Sequence, residues 1–323
     1  MVRYTVEKCP QEYDEYKFTL NKKFLKMAQE NLQETAESRA QSLAQMRDWI
    51  AKHPHIKKCR TDSVFLLRFL RMHKFSVPRA QETLERYLAM RQTFPQWFQN
   101  LDPLNSTTKV LNDAGLNFHL GQDSAGRTVI LVRKKIVDIN GFDFALDIRQ
   151  SIMMLETTFD DEEAQIGGYT IIIDYSDLGL KQLSVYTPLN IKHLADCINH
   201  SLPIRLQQVH FLNLPKMFEF IIHLMHSCLA EKLRNRLYCH KSMEDAAKHL
   251  EVSMLTTEYP GGTQDPEELK RNFIKRAQDK RQELLLLDEM EIDASRYKSL
   301  WHQTTDGSIE SGVAGSFKKL NVD

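Results

Sequence analysis

At 323 residues with 42% hydrophobic content, the chain can bury a sizeable core and favours two domains over one. Lys plus Arg equals Asp plus Glu at 43 each, which excludes the global basic field of a nucleic-acid binder and leaves any anion site to local clustering. The five cysteines (Cys9, Cys59, Cys197, Cys228, Cys239) are widely spaced with no C-x-x-C pair, which excludes a disulfide framework or zinc ribbon and points to a reducing cytosol.

Taken in order, the chain starts Met1-Val-Arg-Tyr-Thr-Val-Glu-Lys8, without an apolar run and cleavage site. Residues 13–51 are polar and helix-favouring, with Leu32, Ala36, Leu43, Met46, Trp49 and Ile50 at helical spacing before Pro54. Thr61 or Asp62 caps a helix over 63–73, and Ser76 with Pro78 opens another that ends before Pro95. These segments predict an all-helical first domain, residues 1–100, with no strand signal.

From 101 to 263 the pattern changes. Gly121-Gln-Asp-Ser-Ala-Gly126 is a turn between short strands, the second being Thr128-Val-Ile-Leu-Val-Arg133. Asp143 caps a helix with Ile148, Ile152, Leu155 and Phe159 on one face and Ser151 beside them. Gly167-Gly168 releases the continuous apolar run Tyr169-Thr-Ile-Ile-Ile-Asp174, and Pro188 opens a helix aligning Ile191, Leu194 and Ile198. Residues 203–213 form the next strand, and residues 236–240 supply one more. Helices alternating with buried strands predict an α/β fold around a mostly parallel sheet with right-handed crossovers. Residues 264–323 read as a charged helix over 267–291 with a Leu284–Leu287 core, then a Gly/Ser-bearing tail.

The helix after Asn213 and Pro215 has an unusually wide apolar arc: Met217, Phe218, Phe220, Ile221, Ile222, Leu224, Met225, Cys228 and Leu229. Lys232 and Arg236 follow on the same side. Apolar residues leading into cations match a membrane-interface helix; a core helix with a solvated end is the plainer reading. No run of about 18 apolar residues is present, so any membrane contact is expected to be peripheral.

Catalytic motifs are missing. Nothing matches G-x-S-x-G, G-x-x-x-x-G-K-[ST] or G-x-G-x-x-G, and Gly167-Gly168 precedes a strand whereas a phosphate cradle follows one. His223, His226 and Cys228 suggest a metal site, and Asp174 with Asp177 an acid/base site. Against both, the histidines lie on the polar arc and aspartates at strand ends ordinarily satisfy backbone donors. The expectation is no enzyme, no metal and no cofactor. An apolar inventory without a catalytic group suggests a ligand cavity.

Several stretches resemble, in order, the signatures of the CRAL-TRIO family. Phe65-Leu-Leu-Arg-Phe-Leu-Arg-Met-His-Lys-Phe-Ser-Val-Pro-Arg-Ala80 resembles its N-terminal helical domain. Asp123-Ser-Ala-Gly-Arg-Thr-Val-Ile-Leu131, Ile171-Ile-Ile-Asp174, Val209-His-Phe-Leu-Asn-Leu-Pro215 and Glu258-Tyr-Pro-Gly-Gly262 resemble its lipid-binding domain. Within the family the chain is most similar to the tocopherol-transfer and retinaldehyde-binding branch, including insect relatives with a Ser-Phe-Lys-Lys-Leu type ending.

The resemblance implies a cytoplasmic carrier that encloses one hydrophobic molecule, such as a tocopherol, retinoid, carotenoid or other isoprenoid, beneath a mobile lid helix. Release would occur at phosphoinositide-containing membranes, the protein being peripherally associated. It implies a cavity lined by Val132, Ile148, Ser151, Ile152, Leu155, Tyr169, Ile173, Leu194, Ile198, Leu202 and Ile204, with Phe218, Ile221, Ile222 and Met225 from the lid. Ser151 either bonds a ligand oxygen or its own helix carbonyl. Head-group binding falls to Arg71, Arg205, Lys232 and Arg236; a further basic position of the branch is Gln207 here. A phosphatidylinositol or other phospholipid exchanger, and a lipid-sensing interaction module, are the competing readings.

Overall fold

The computed structural model of the chain describes residues 4–134, 137, 143–178 and 185–297. Residues 13–51 are not one helix. α1 (Lys22–Leu32) stops at Gln33, which is left-handed at φ 60°. A capping box between Thr35 and Ser38 then starts α2 (Ala36–Lys52). The first region is otherwise helical, but β1 (Ile56–Lys58) pairs antiparallel with residues 291–292, a strand too short to show in the pattern. Asp62 caps α3 (Ser63–Met72) by accepting from the Phe65 amide. α4 (Val77–Thr93), with Pro78 in its first turn, α5 (Pro95–Phe98) and α6 (Ser106–Asp113) follow.

The central sheet has the order β2-β3-β4-β5-β6. β2 (Asn117–Gln122) and β3 (Thr128–Arg133) form the antiparallel hairpin; β4 (Tyr169–Asp174), β5 (Leu206–Leu212) and β6 (Leu237–Cys239) then add in parallel. Between them run α7 (Phe144–Phe159), capped by Asp143, and α8 (Glu162–Gly167), then α9 (Pro188–His200), capped by Thr187. The Lys216–Phe218 3-10 turn leads into α10 (Glu219–Cys228), and α11 (Glu231–Arg234) precedes β6. Gly167 and Gly168 allow a close approach: a Cβ on Gly167 would lie 1.9 Å from the Gly126 carbonyl, and Gly168 has φ +81°.

Strand alternation splits the core. Ile130, Val209 and Phe211 face α7, α9 and α10, whereas Val129, Leu131, Ile172 and Leu212 face a second cluster with Ala246, Leu255 and Leu269. Ala246 comes from α12 (Met243–Ala246). The helix expected over 267–291 breaks at Lys280 into α13 (Pro266–Asp279) and α14 (Arg281–Leu286), before β7 (Glu291–Ile292). The break lets the Lys280 ammonium reach the Thr157 carbonyl and Asp161 while Leu284 and Leu287 enter the core. The Ser-Phe-Lys-Lys-Leu ending lies outside the described residues.

Buried ion pairs join the helical region to the sheet domain. Arg60 and Arg68 meet Asp160 at 3.1 and 2.7 Å, and Arg68 meets Glu156 at 2.9 Å. Tyr87 donates to the same Glu156 at 2.7 Å. Burial alone would raise the Asp160 carboxyl, but Arg60 and Arg68 outweigh it and hold it well below the usual carboxylate range. A carboxyl depressed on folding contributes stability above its unfolded value near 3.9, and that contribution fades as pH falls. Asp160→Asn should therefore cost about 3–5 kcal/mol in urea unfolding at pH 7, with the gap to wild type narrowing below about pH 4. Equal midpoints at pH 7 would show that the network is not integral to the fold.

Candidate functional site

The inward faces of α7, α9 and α10, with β4 and β5, enclose a cavity of about 140 Å³. Of the positions expected to line it, Ile148, Ile173, Leu194, Ile198, Ile221, Ile222 and Met225 do so. Ile191, Val209 and Phe211 join them; each follows from the same helical or period-two alternation extended by one step. Leu206, Leu229, Leu233 and Leu237 close the end where β5 and β6 begin.

Other expected lining positions lie elsewhere. Ile152, Tyr169, Leu202, Ile204 and Val132 are buried in the surrounding core, and Leu155 is half-buried beside it. For Ile152 and Leu155 the reason is the course of α7, whose first turn alone reaches the cavity before the helix packs against α5, α8 and α13. Ser151 donates to the Asp147 carbonyl of its own helix at 3.1 Å, the second of its two readings. Phe218 is fully buried and caps the cavity from outside the lining, its ring 5.9 Å from Tyr175 and 6.0 Å from Tyr186.

One end of the cavity is polar, and no sequence signal marked it. The Lys134 ammonium donates to Asp147 Oδ2 at 2.6 Å and the Tyr186 hydroxyl donates to the same oxygen at 3.1 Å, all three residues lining the cavity. Read singly, each is an ordinary polar residue; only the packing of α7 onto the end of β3 joins them.

α10 is built as a cover. Ile221 faces inward at 4% exposure, while Phe220 on α10 and Met217 in the preceding 3-10 turn are 38% and 39% exposed. Asn213 does not cap it: at φ 51° it instead donates from its side chain to Asp174 Oδ1 at 2.8 Å. The far end is held by Asn199, which donates to the Cys228 carbonyl and accepts from the Ala230 amide, both at 2.9 Å. No ion pair among the described residues involves 216–229. His223 and His226 are exposed on this helix. Asp174 accepts from Asn213, Ser176 and Tyr259, which occupies it as a structural acceptor at the end of β4.

The expected head-group cations divide. Arg71 is fully buried: its guanidinium donates to both oxygens of Glu34 at 2.9 Å, to Glu162 and Gln165 at 2.8 Å and to Tyr16 at 3.0 Å. With every N–H engaged it has none for an external anion, and its expected role is corrected to a structural one. Arg205, Lys232 and Arg236 pair with no carboxylate among the described residues. Burial, then Arg236, Lys74, Arg205 and Arg79, lowers the Lys232 ammonium from its ordinary value. Burial, then Arg236 and Arg71, does the same to Arg205, whose guanidinium also bonds the Gln165 and Ile166 carbonyls. Lys74 and Arg79, three and eight residues after Arg71, act on Lys232 in the same way and extend the cluster of cations. Arg236 also lines the cavity.

Comparison with known proteins adds the following. Residues 112–261 match the family described as CRAL/TRIO domain, and residues 35–108 the one described as Pinta-like, UBA domain. Alpha-tocopherol transfer protein-like of Mus musculus is 31% identical over 249 residues, covering 77% of this chain and 72% of that one. The Homo sapiens protein of the same name is 31% identical over 255 residues, covering 79% and 74%. Clavesin-1 of Xenopus laevis is 30% identical over 251 residues, covering 76% and 75%.

The corrected place of Arg71 is open to measurement. Arg71→Met leaves Glu34 and Glu162 without their buried partner and should cost about 3–5 kcal/mol of stability, with no difference from wild type in sedimentation with phosphoinositide vesicles. A stable Arg71→Met protein that no longer sediments with such vesicles would return Arg71 to the surface site.

Proposed function

The chain belongs to the CRAL-TRIO lipid-binding and transfer family, and from that premise we propose that it is a carrier for one small hydrophobic molecule, an isoprenoid lipid, released at phosphoinositide-containing membranes when α10 opens. The observation that carries this reading is the cover itself: the inner face of α10 lines an apolar cavity, while Phe220 on α10 and Met217 in the turn before it are left uncovered. A cover whose inward side chains are apolar and whose exposed side carries Phe220 beside Glu219, His223 and His226 suits an element that exchanges a closed contact for one at a membrane interface.

At about 140 Å³ the cavity is smaller than the roughly 300–1,000 Å³ of most ligand sites, so an isoprenoid chain would displace the cover outward on entry. No helix among the described residues is long and apolar enough to cross a membrane, and the membrane contact proposed is peripheral, from the cytoplasmic side. The cations Lys74, Arg79, Arg205, Lys232 and Arg236 provide the attraction to an anionic surface, at roughly 1 kcal/mol each. Arg236 belongs to both sites, which supports a coupling between head-group binding and cover opening.

Two measurements test the proposal. Organic extraction of the purified protein should yield a single isoprenoid lipid near one per chain; phospholipid would favour an exchanger, and nothing even after feeding candidate lipids would favour an interaction module. Lys74→Glu combined with Lys232→Glu should slow ligand transfer to phosphoinositide vesicles at least about tenfold, with little change in transfer to neutral ones. Equal rates to both vesicle types in wild type and variant would remove the head-group step.

A further inference from the structure

The carrier reading leaves unexplained why an apolar cavity should end in an ion pair. Lys134 and Asp147 are 8% and 6% exposed, and the pair sits where the C-terminal ends of β3 and β4 meet the first turn of α7. The Lys134 backbone amide donates to the Asp174 carbonyl at 2.7 Å, which fixes the residue at the C-terminal end of the β3 and β4 pair. A pair that served only to hold α7 to the sheet would saturate its polar atoms, since unsatisfied ones in an apolar setting are costly. Here Asp147 Oδ2 takes both the Lys134 and Tyr186 bonds, whereas Asp147 Oδ1 and two of the three Lys134 N–H groups have no partner among the described residues. The Tyr175 hydroxyl, also in the lining, is likewise without a partner among them. Acceptor and donor capacity therefore stand side by side, facing the cavity.

Resting on the carrier reading, we infer that Lys134, Asp147 and Tyr186 form a head-group subsite that selects a ligand bearing one hydroxyl at the end of an apolar chain. A hydroxyl donates to Asp147 Oδ1 and accepts from Lys134, satisfying both at once. An aldehyde or ketone satisfies Lys134 and leaves the carboxylate oxygen bare. A carboxylate ligand meets the Asp147 charge in a poorly hydrated site, where like charges repel strongly. A hydrocarbon satisfies neither. Phe218 packs on Tyr175 and Tyr186, so the subsite sits beneath the start of the cover, and the ligand tail points toward Leu229, Leu233 and Leu237.

The test compares farnesol, farnesoic acid and farnesene, which share one apolar skeleton and differ at the head, in displacement of a fluorescent lipid from the full-length protein. Wild type should bind farnesol at least about tenfold more tightly than either of the others, as expected for hydrogen bonds to charged groups. Lys134→Met with Asp147→Leu, an apolar replacement of the whole pair, should bring the farnesol-to-farnesene ratio close to one. Asp147→Asn, which keeps the shape but leaves Lys134 as the uncompensated charge, should move the preference to farnesoic acid by at least about tenfold. Equal wild-type affinity for all three, or tighter farnesoic acid in wild type, would overturn the subsite while leaving the carrier reading in place. Binding of none of them, together with no lipid on extraction, would overturn both.

Discussion

Arginine side chains drawn into the interior hold this molecule in register. Arg60, Arg68, Arg71 and Arg91 are all buried, facing Glu34, Glu156, Asp160, Glu162 and Asp288. Taking such ions out of water costs several kcal/mol each, recovered only when the geometry is met, so these pairs add little net stability but penalise any other arrangement. Their carboxylates come from the end of α7, from α8, from the N-terminal helices and from the C-terminal segment. The N-terminal helices are thereby locked to the very helix whose first turn enters the cavity. One wall of the cavity is fixed by charge.

The opposite wall is not. Besides the inward side chains Ile221, Ile222 and Met225, α10 is attached by the Phe218 ring between two tyrosines and by the two Asn199 bonds at its far end, with no ion pair among the described residues. Neutral hydrogen bonds and aromatic contacts are worth about 1 kcal/mol each. Elements held in this way belong to the low-stability end of a structure, where local opening occurs. On the proposed reading, the contrast between the two walls lets one side open while the pocket keeps its shape on the other.

Much of this was legible from pattern. Asp143 and Thr187 as caps, the hairpin around Gly126 and the parallel strands follow from local chemistry and period, because each depends on residues close in sequence. The apolar cavity face was legible in part: Ile148 and the Leu194/Ile198 stripe were found, but α7 was followed two turns too far, since a helical wheel says nothing about where a helix leaves a pocket. Arg71 misled for a similar reason. It was placed by the resemblance, which carries no information about its partners in this chain, and these lie 37, 91 and 94 residues away. α3 is buried on every side, which forces its arginines inward to meet carboxylates. The Lys134–Asp147 pair escaped notice because neither residue breaks a pattern. Asp174, Asn213 and Tyr259, conspicuous as motif residues, turn out to bond one another where β4 ends, so their chemistry is that of a brace.

Magnitudes decide which force would open the cover. Swinging α10 away exposes Phe218, Ile221, Ile222 and Met225, and full exposure of each such side chain costs about 1.5–3 kcal/mol in water. With Ile222 and Met225 counted at about half for their partial exposure, the sum is about 4.5–9 kcal/mol, against about 5 kcal/mol for Lys74, Arg79, Arg205, Lys232 and Arg236 at roughly 1 kcal/mol each near an anionic surface. On the proposed reading, charge at most balances the exposure cost and leaves no surplus to hold the cover open in water. An acyl-chain interior removes the exposure cost of the apolar face, leaving the cations to determine which surface the protein meets and which side of it is turned inward. On the proposed reading, opening and unloading are the same event, confined to the place where both the cover and the ligand have somewhere apolar to go.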